Sequence, residues 1–192
     1  PYGNPGDIFP FYEINPLVTR IAQTLFTYLR DSNAKIEIAE GDARIVMERE
    51  APAHYDVLVI DAFSGDAIPV HLLTKEACGV YLRHLNPTGI LAFHVSNQYL
   101  QLAPVVRQLA DIYDLRSRFV EVKGQADQLL ATSDWVLVTR NDRFLRRPEV
   151  AAVSDLIPVP AQSRLWTDDY NNLLQVIRPF SLAPSATDKV LH

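Results

Sequence analysis

Cysteine is almost missing from this sequence: Cys78 is the single one in 192 residues, which excludes an intrachain disulfide and makes a reducing, cytoplasmic setting the expectation. No apolar run approaches the roughly 18 residues of a membrane span, and no signal-peptide pattern opens the chain. The five histidines (His54, His71, His84, His94 and His192) are scattered without metal-ligand spacing, so no metal site is expected. Excess positive charge is lacking too. With 18 basic against 23 acidic residues the net charge is -5, and nothing in it suggests a nucleic-acid footprint. Arg140, Arg143, Arg146 and Arg147 form the only basic cluster and read as a solvated turn. The glycine fingerprint of a nicotinamide dehydrogenase is absent. "FSGDA" around Ser64 is not a nucleophile elbow, which argues against a hydrolase.

What is present is the composition of an ordinary globular domain, 48% apolar and 21% charged, in which strands and helices alternate. "DIFPFYEIN" reads as a short strand ending near Glu13. Asn15 then offers an N-cap and Pro16 the first helical position. Ile21, Ala22, Leu25, Phe26 and Leu29 recur at helical spacing and predict a helix to about Arg30. "KIEIAEGD" predicts a strand ending at Gly41-Asp42, and "ARIVMERE" a short helix. The run from Tyr55 to Asp61, "YDVLVID", predicts a strand buried on both faces, as in a parallel sheet. Leu72, Leu73, Ala77, Val80, Tyr81 and Leu85 mark another helix. "TGILAFHVS" is a strand, and Leu102, Val106, Leu109, Ala110 and Tyr113 line one face of a further helix. "SRFVEV" and "DWVLVT" read as two late strands, antiparallel because their connection is too short for a crossover helix. From Arg143 the pattern weakens through "IPVPAQ" and "LWTDDYNNLLQVI" to a tail expected to fray after about Pro184. The fold class expected is α/β with a doubly wound, mostly parallel sheet: residues 1–142 form a Rossmann-like nucleoside-binding domain, and 143–192 an extension packed on it.

In such a sheet, ligands bind beyond the carboxyl ends of the strands. Glu13, Asp42 and Asp61 each end a successive strand. One such acid is explained by a turn or a cap; three on one sheet edge point to a shared ligand site. Glu13 suits the two hydroxyls of a ribose, whether the ligand is of NAD type or an S-adenosyl compound. Asp42, after Gly41, suits an exocyclic adenine amine, since glycine lets the backbone come close. Asp61 lies where the reactive end of the ligand would fall, and there a carboxylate accepts a proton from an amine or holds a cation. Asp168-Asp169 reads as a helix N-cap, His94 as a satisfied core histidine, and Trp135 and Trp166 as packing residues.

"FYEINP", "IEIAEGDAR", "YDVLVIDAFSGDAIP" and "NPTGILAFHVSNQYLQLAPVVRQLA", in that order, resemble the spermidine synthase-like aminopropyltransferases over roughly Phe9 to Arg140. "LWTDDYNNLL" is similar to the C-terminal segment of the bacterial branch, some of whose members are fused to membrane-spanning segments. The resemblance implies a Rossmann-like sheet of the methyltransferase type. It matches Glu13, with Ile14 beside it, to the ribose-binding acid for decarboxylated S-adenosylmethionine, and Asp42 and Ala43 to the pair at the adenine. Asp61 matches the catalytic aspartate, and Asp66 corresponds to the second acid that holds the polyamine. Gln98 and Tyr99 lie where the family lines its amine channel. Two features depart from the family pattern. The catalytic loop reads "DAFSGDAIP" instead of an Asp-Ser-Ser/Thr-Asp-Pro type, and the glycine-rich loop after the first strand is absent, Gly3 and Gly6 not supplying it.

The function expected from the resemblance is aminopropyl transfer from decarboxylated S-adenosylmethionine, a co-substrate and not a tightly held cofactor, to a polyamine such as putrescine. Two alternatives stand beside it: an S-adenosylmethionine-dependent methyltransferase, and a non-catalytic spermidine synthase-like binding domain. A homodimer is compatible with either. Since the family's first strand lies centrally, between those ending at Glu13 and Asp61, the sequence is expected to be a piece of a longer protein, whose parent has the option of a membrane span.

Overall fold

The computed structural model describes residues 3–62, 69–124, 131–159 and 163–178. It divides into two compact units, the first formed by Pro1–Tyr55 and Gly79–Asn86, the second by Asp56–Cys78 and Pro87–His192.

In the first unit, β1 (Ile8–Glu13) and β2 (Lys35–Glu40) pair in parallel, in register from Ile8 opposite Lys35 to Glu13 opposite Glu40. Helix α1 (Pro16–Thr24) starts as its sequence requires: the Asn15 side chain accepts from the Leu17 N–H at 3.0 Å, and Pro16 takes the first turn. It stops at Thr24, short of the expected Arg30. The Thr24 hydroxyl donates to the Arg20 carbonyl at 2.7 Å, and Phe26-Thr27-Tyr28 is a β-branched and aromatic stretch that loses side-chain freedom in a helix. Helix α2 (Ala43–Arg49) follows β2 through Gly41, whose φ of +138° is strained for any residue with a Cβ.

The remaining strands and α-helices are β3 (Tyr55–Ile60), α3 (Lys75–His84), β4 (Leu85–His94), α4 (Ala103–Ile112), β5 (Arg116–Val122), β6 (Ser133–Thr139), the one-turn helices α5 (Asp142–Leu145) and α6 (Pro148–Ala151), and β7 (Ser154–Asp155). The division between the units runs through α3 and β4. The second sheet has the order β3-β4-β6-β5-β7. β6 is antiparallel to β5, as their short connection implies, and also to β4, and β7 is antiparallel to β5. The expected single, mostly parallel sheet is therefore corrected to a parallel β1–β2 pair and a separate five-stranded sheet whose β4–β6, β6–β5 and β5–β7 pairings are antiparallel. β1 and β2 form their own ladder, and among the described residues no strand joins it to the five-stranded one.

Burial of β3 on both faces is also corrected. Leu58 and Ile60 are buried, but Val57 and Val59 are 55% and 51% exposed. β3 lies at the edge of its sheet, where a continuous apolar run does not guarantee a layer on each side. The core of the second unit comes from α4, which packs on β5 and β6 and buries Val105, Val106, Leu109 and Ala110. Leu91 and Phe93 of β4 and Val136 and Val138 of β6 are buried as well.

The start of α3 is tied to the later chain. The Lys75 N–H donates to the Trp166 carbonyl at 2.9 Å, the Thr74 hydroxyl donates to Asp168 Oδ1 at 2.8 Å, and the Asp168 N–H donates to Glu76 Oε2 at 2.9 Å. Asp168 thus sits in a turn closed by Thr167 and Tyr170, and the expected helix N-cap is replaced by a clasp on another helix. Among the described residues, no helix is long and apolar enough to cross a membrane.

Candidate functional site

In the first unit, the parallel pairing brings Glu13 and Asp42 to the carboxyl end of β1 and β2. The backbone locks this end, the Gly41 N–H donating to the Glu13 carbonyl at 2.9 Å. Glu13 Oε1 accepts from the Asn15 N–H at 2.8 Å, and Asp42 Oδ1 accepts from the Ile45 N–H at 3.0 Å as the N-cap of α2. Ile14 is exposed in the turn after Glu13, and Ala43 opens α2. Both acids therefore satisfy nearby backbone groups, the role that turn chemistry alone assigns them.

A cavity of about 390 Å³ also opens in the first unit, lined in part by Tyr12, Ile38, Glu50 and Tyr55. The Tyr12 hydroxyl donates to Glu50 Oε2 at 2.6 Å and lies 2.7 Å from the Tyr55 hydroxyl. Burial, reinforced by the Glu50 carboxylate, raises the Tyr12 hydroxyl above the ordinary tyrosine range, so it stays a neutral donor. Glu13 and Asp42 do not line this cavity.

In the second unit, Asp61 follows the last residue of β3 and is 54% exposed, whereas His94, the last residue of β4, is 23% exposed. His94 Nδ1 lies 2.7 Å from Asp61 Oδ1, and its Nε2 lies 2.7 Å from the Ser96 hydroxyl. That hydroxyl accepts from the Asp134 N–H at 2.6 Å. The imidazole stacks on Trp135, its partner across the β4–β6 ladder, with ring centroids 4.8 Å apart. Burial raises the Asp134 carboxyl above the usual range, opposed by the Arg178 guanidinium 3.8 Å away and reinforced by Glu121.

Gln98 and Tyr99 are exposed in the loop after β4, where the Asn97 side chain accepts from the Tyr99 and Leu100 N–H groups. Asp66 lies outside the described residues. The sequence pattern alone reads His94 as a satisfied core histidine and carries no local sign of its bond to Asp61. The available signal was positional: His94 ends the apolar run of β4 as Asp61 ends that of β3.

Comparison with known proteins gives a consistent picture. No protein-family model matches the chain. It is 35% identical over 81 residues, 41% of this chain and 26% of the relative, to a polyamine aminopropyltransferase from Vibrio vulnificus (strain CMCP6). Its fold is similar to that of a probable spermidine synthase from Corynebacterium glutamicum ATCC 13032, with a TM-score of 0.53 and 21% identity over 74% of this chain and 51% of that one. A spermidine synthase in complex with the transition state analogue AdoDATO gives the same TM-score at 13% identity, covering 79% of this chain and 54% of that one. The chain thus spans about half the length of these solved structures and 26% of the curated enzyme. Over 81 residues the chain is similar in sequence to a polyamine aminopropyltransferase, and its fold is similar to that of spermidine synthases.

Proposed function

We propose that the protein transfers an aminopropyl group from decarboxylated S-adenosylmethionine to a polyamine such as putrescine, with Asp61 as the base. The observation that carries this reading is Asp61 itself, an accessible carboxylate at the end of an apolar strand with one oxygen held by a neighbouring imidazole. The amine nitrogen attacks the propyl carbon on the sulfonium, a C–N bond forms, and the C–S bond breaks with its electron pair moving to sulfur. The products are methylthioadenosine and an extended amine. The proton lost by the attacking nitrogen goes to the carboxylate of Asp61. A sulfonium is already an activated leaving group, so alignment and one deprotonated amine supply most of what the reaction needs.

Glu13 and Ile14 are assigned to the ribose, Asp42 and Ala43 to the adenine, and Asp66, Gln98 and Tyr99 to the amine. Glu13 suits its part. Only Oε1 is taken by the Asn15 N–H among the described residues, and a carboxylate accepts at both oxygens. Gly41, with no Cβ, suits close approach of a planar base.

The test is incubation with decarboxylated S-adenosylmethionine and putrescine, followed by detection of methylthioadenosine. Its formation supports the reading. Methyl transfer from S-adenosylmethionine without it would favour a methyltransferase, and nucleoside binding without turnover a binding domain.

A further inference from the structure

We infer that His94 is a positioning residue for Asp61, its Nδ1–H fixing one oxygen of the carboxylate so that the other faces the incoming amine. This inference rests on the aminopropyl-transfer reading for its chemistry, though the geometry of the pair stands apart from it.

The hydrogen-bond chain has a definite polarity. An ionised aspartate only accepts, so at 2.7 Å from Asp61 Oδ1 the hydrogen belongs on His94 Nδ1. At the other end, Ser96 Oγ already accepts from the Asp134 N–H at 2.6 Å. Its own hydrogen is then free to point at Nε2, 2.7 Å away. The imidazole is fixed by more than these two bonds. Trp135 stacks on its face, and the β4–β6 register places His94 opposite Trp135, next to the bond from the Val95 N–H to the Asp134 carbonyl. Among the described residues, charged groups near it include Asp61 on one side and Asp134, paired with Arg178, on the other. A half-exposed aspartate on its own samples several rotamers. One tethered through a ring that is itself held by a stack and a ladder has far fewer.

Two substitutions separate donation from packing. His94→Phe keeps a ring on Trp135 and removes the N–H, whereas His94→Asn loses the ring and keeps an amide N–H near the place of Nδ1. We expect His94→Phe to lower kcat by about tenfold to a hundredfold, with KM for the nucleoside unchanged, and His94→Asn to recover most of that loss. Equal kcat for wild type and His94→Phe, or an Asn variant as impaired as the Phe one, would overturn the inference.

Imidazole nitrogen chemical shifts in the unsubstituted chain provide a readout independent of activity. A protonated Nδ1 is expected, and a neutral ring carrying its hydrogen on Nε2 would overturn the inference. An inactive chain that still shows the Nδ1–H would remove the aminopropyl-transfer reading while upholding the tether.

Discussion

Helices α1 and α4 carry the same apolar spacing and end in opposite surroundings. In α1, Leu17 and Ile21 are 63% and 45% exposed, whereas in α4, Val106 and Leu109 are 0% and 1% exposed. Spacing and start chemistry decide that a segment coils; what lies against its apolar stripe decides how much that coil is worth. For α4 the stripe meets β5 and β6. Each fully buried aliphatic side chain there contributes about 1.5–3 kcal/mol. The carboxylates differ between the two units in a parallel way. Glu13 and Asp42 bond backbone N–H groups two and three residues away, while Asp61 bonds a side chain 33 residues away. A local partner is explained by folding alone. A distant side chain on an exposed acid is harder to explain without chemistry.

The sharpest break of that comparison is Asp61→Asn. The substitution keeps shape and removes basicity, so turnover is expected to fall by about 10²–10⁴-fold while thermal stability stays near wild type. Steady-state kinetics beside a melting curve checks both, and an Asn variant with unchanged kcat would put Asp61 in the same class as the capping acids. Next in size, Leu109→Ala should cost about 2–5 kcal/mol in urea unfolding. Ile21→Ala in α1 should stay within about 1 kcal/mol, and similar losses would mean that α1 is as covered in solution as α4. Asp42→Ala removes the cap of α2 and should cost about 0.5–2 kcal/mol, with Asp42→Asn restoring most of it because an amide oxygen also caps. The smallest effect concerns Cys78. Burial pushes its thiol up to about 12, so alkylation of the native protein at pH 8 should be far slower than in urea. Rapid native alkylation would show that α3 opens readily.

The strand ends were largely legible because they depend on local chemistry. Asn15-Pro16 could only open a helix, and Gly41-Asp42 turns and caps in the space of two residues. The antiparallel pairing of the two late strands followed from the length of their connection. What stayed hidden depends on residues far apart in sequence. The exposed face of β3 reflects its edge position, which Val57 and Val59 cannot announce. Asp168 bonds the start of α3 across 94 residues, a partnership that no local pattern encodes. The tether from His94 to Asp61 is hidden in the same way, since an apolar strand that contains a histidine reads equally well as core.

The position of β6 has a consequence for how this protein is made. β6 lies between β4 and β5 although it follows both in the chain, and the two ladder neighbours of β5, β6 and β7, come after it. On the ribosome, a chain that has emerged only through Val122 therefore holds a β5 with no strand beside it and a β4 whose inner edge is open. Such edges are templates for neighbouring chains, and they persist until Ser133–Thr139 arrives to fill the gap. The β4–β6–β5 centre of the second sheet therefore cannot form until β6 has been translated. It closes late, so interrupted synthesis or a slow codon before residue 133 is expected to leave nascent chains dependent on chaperones.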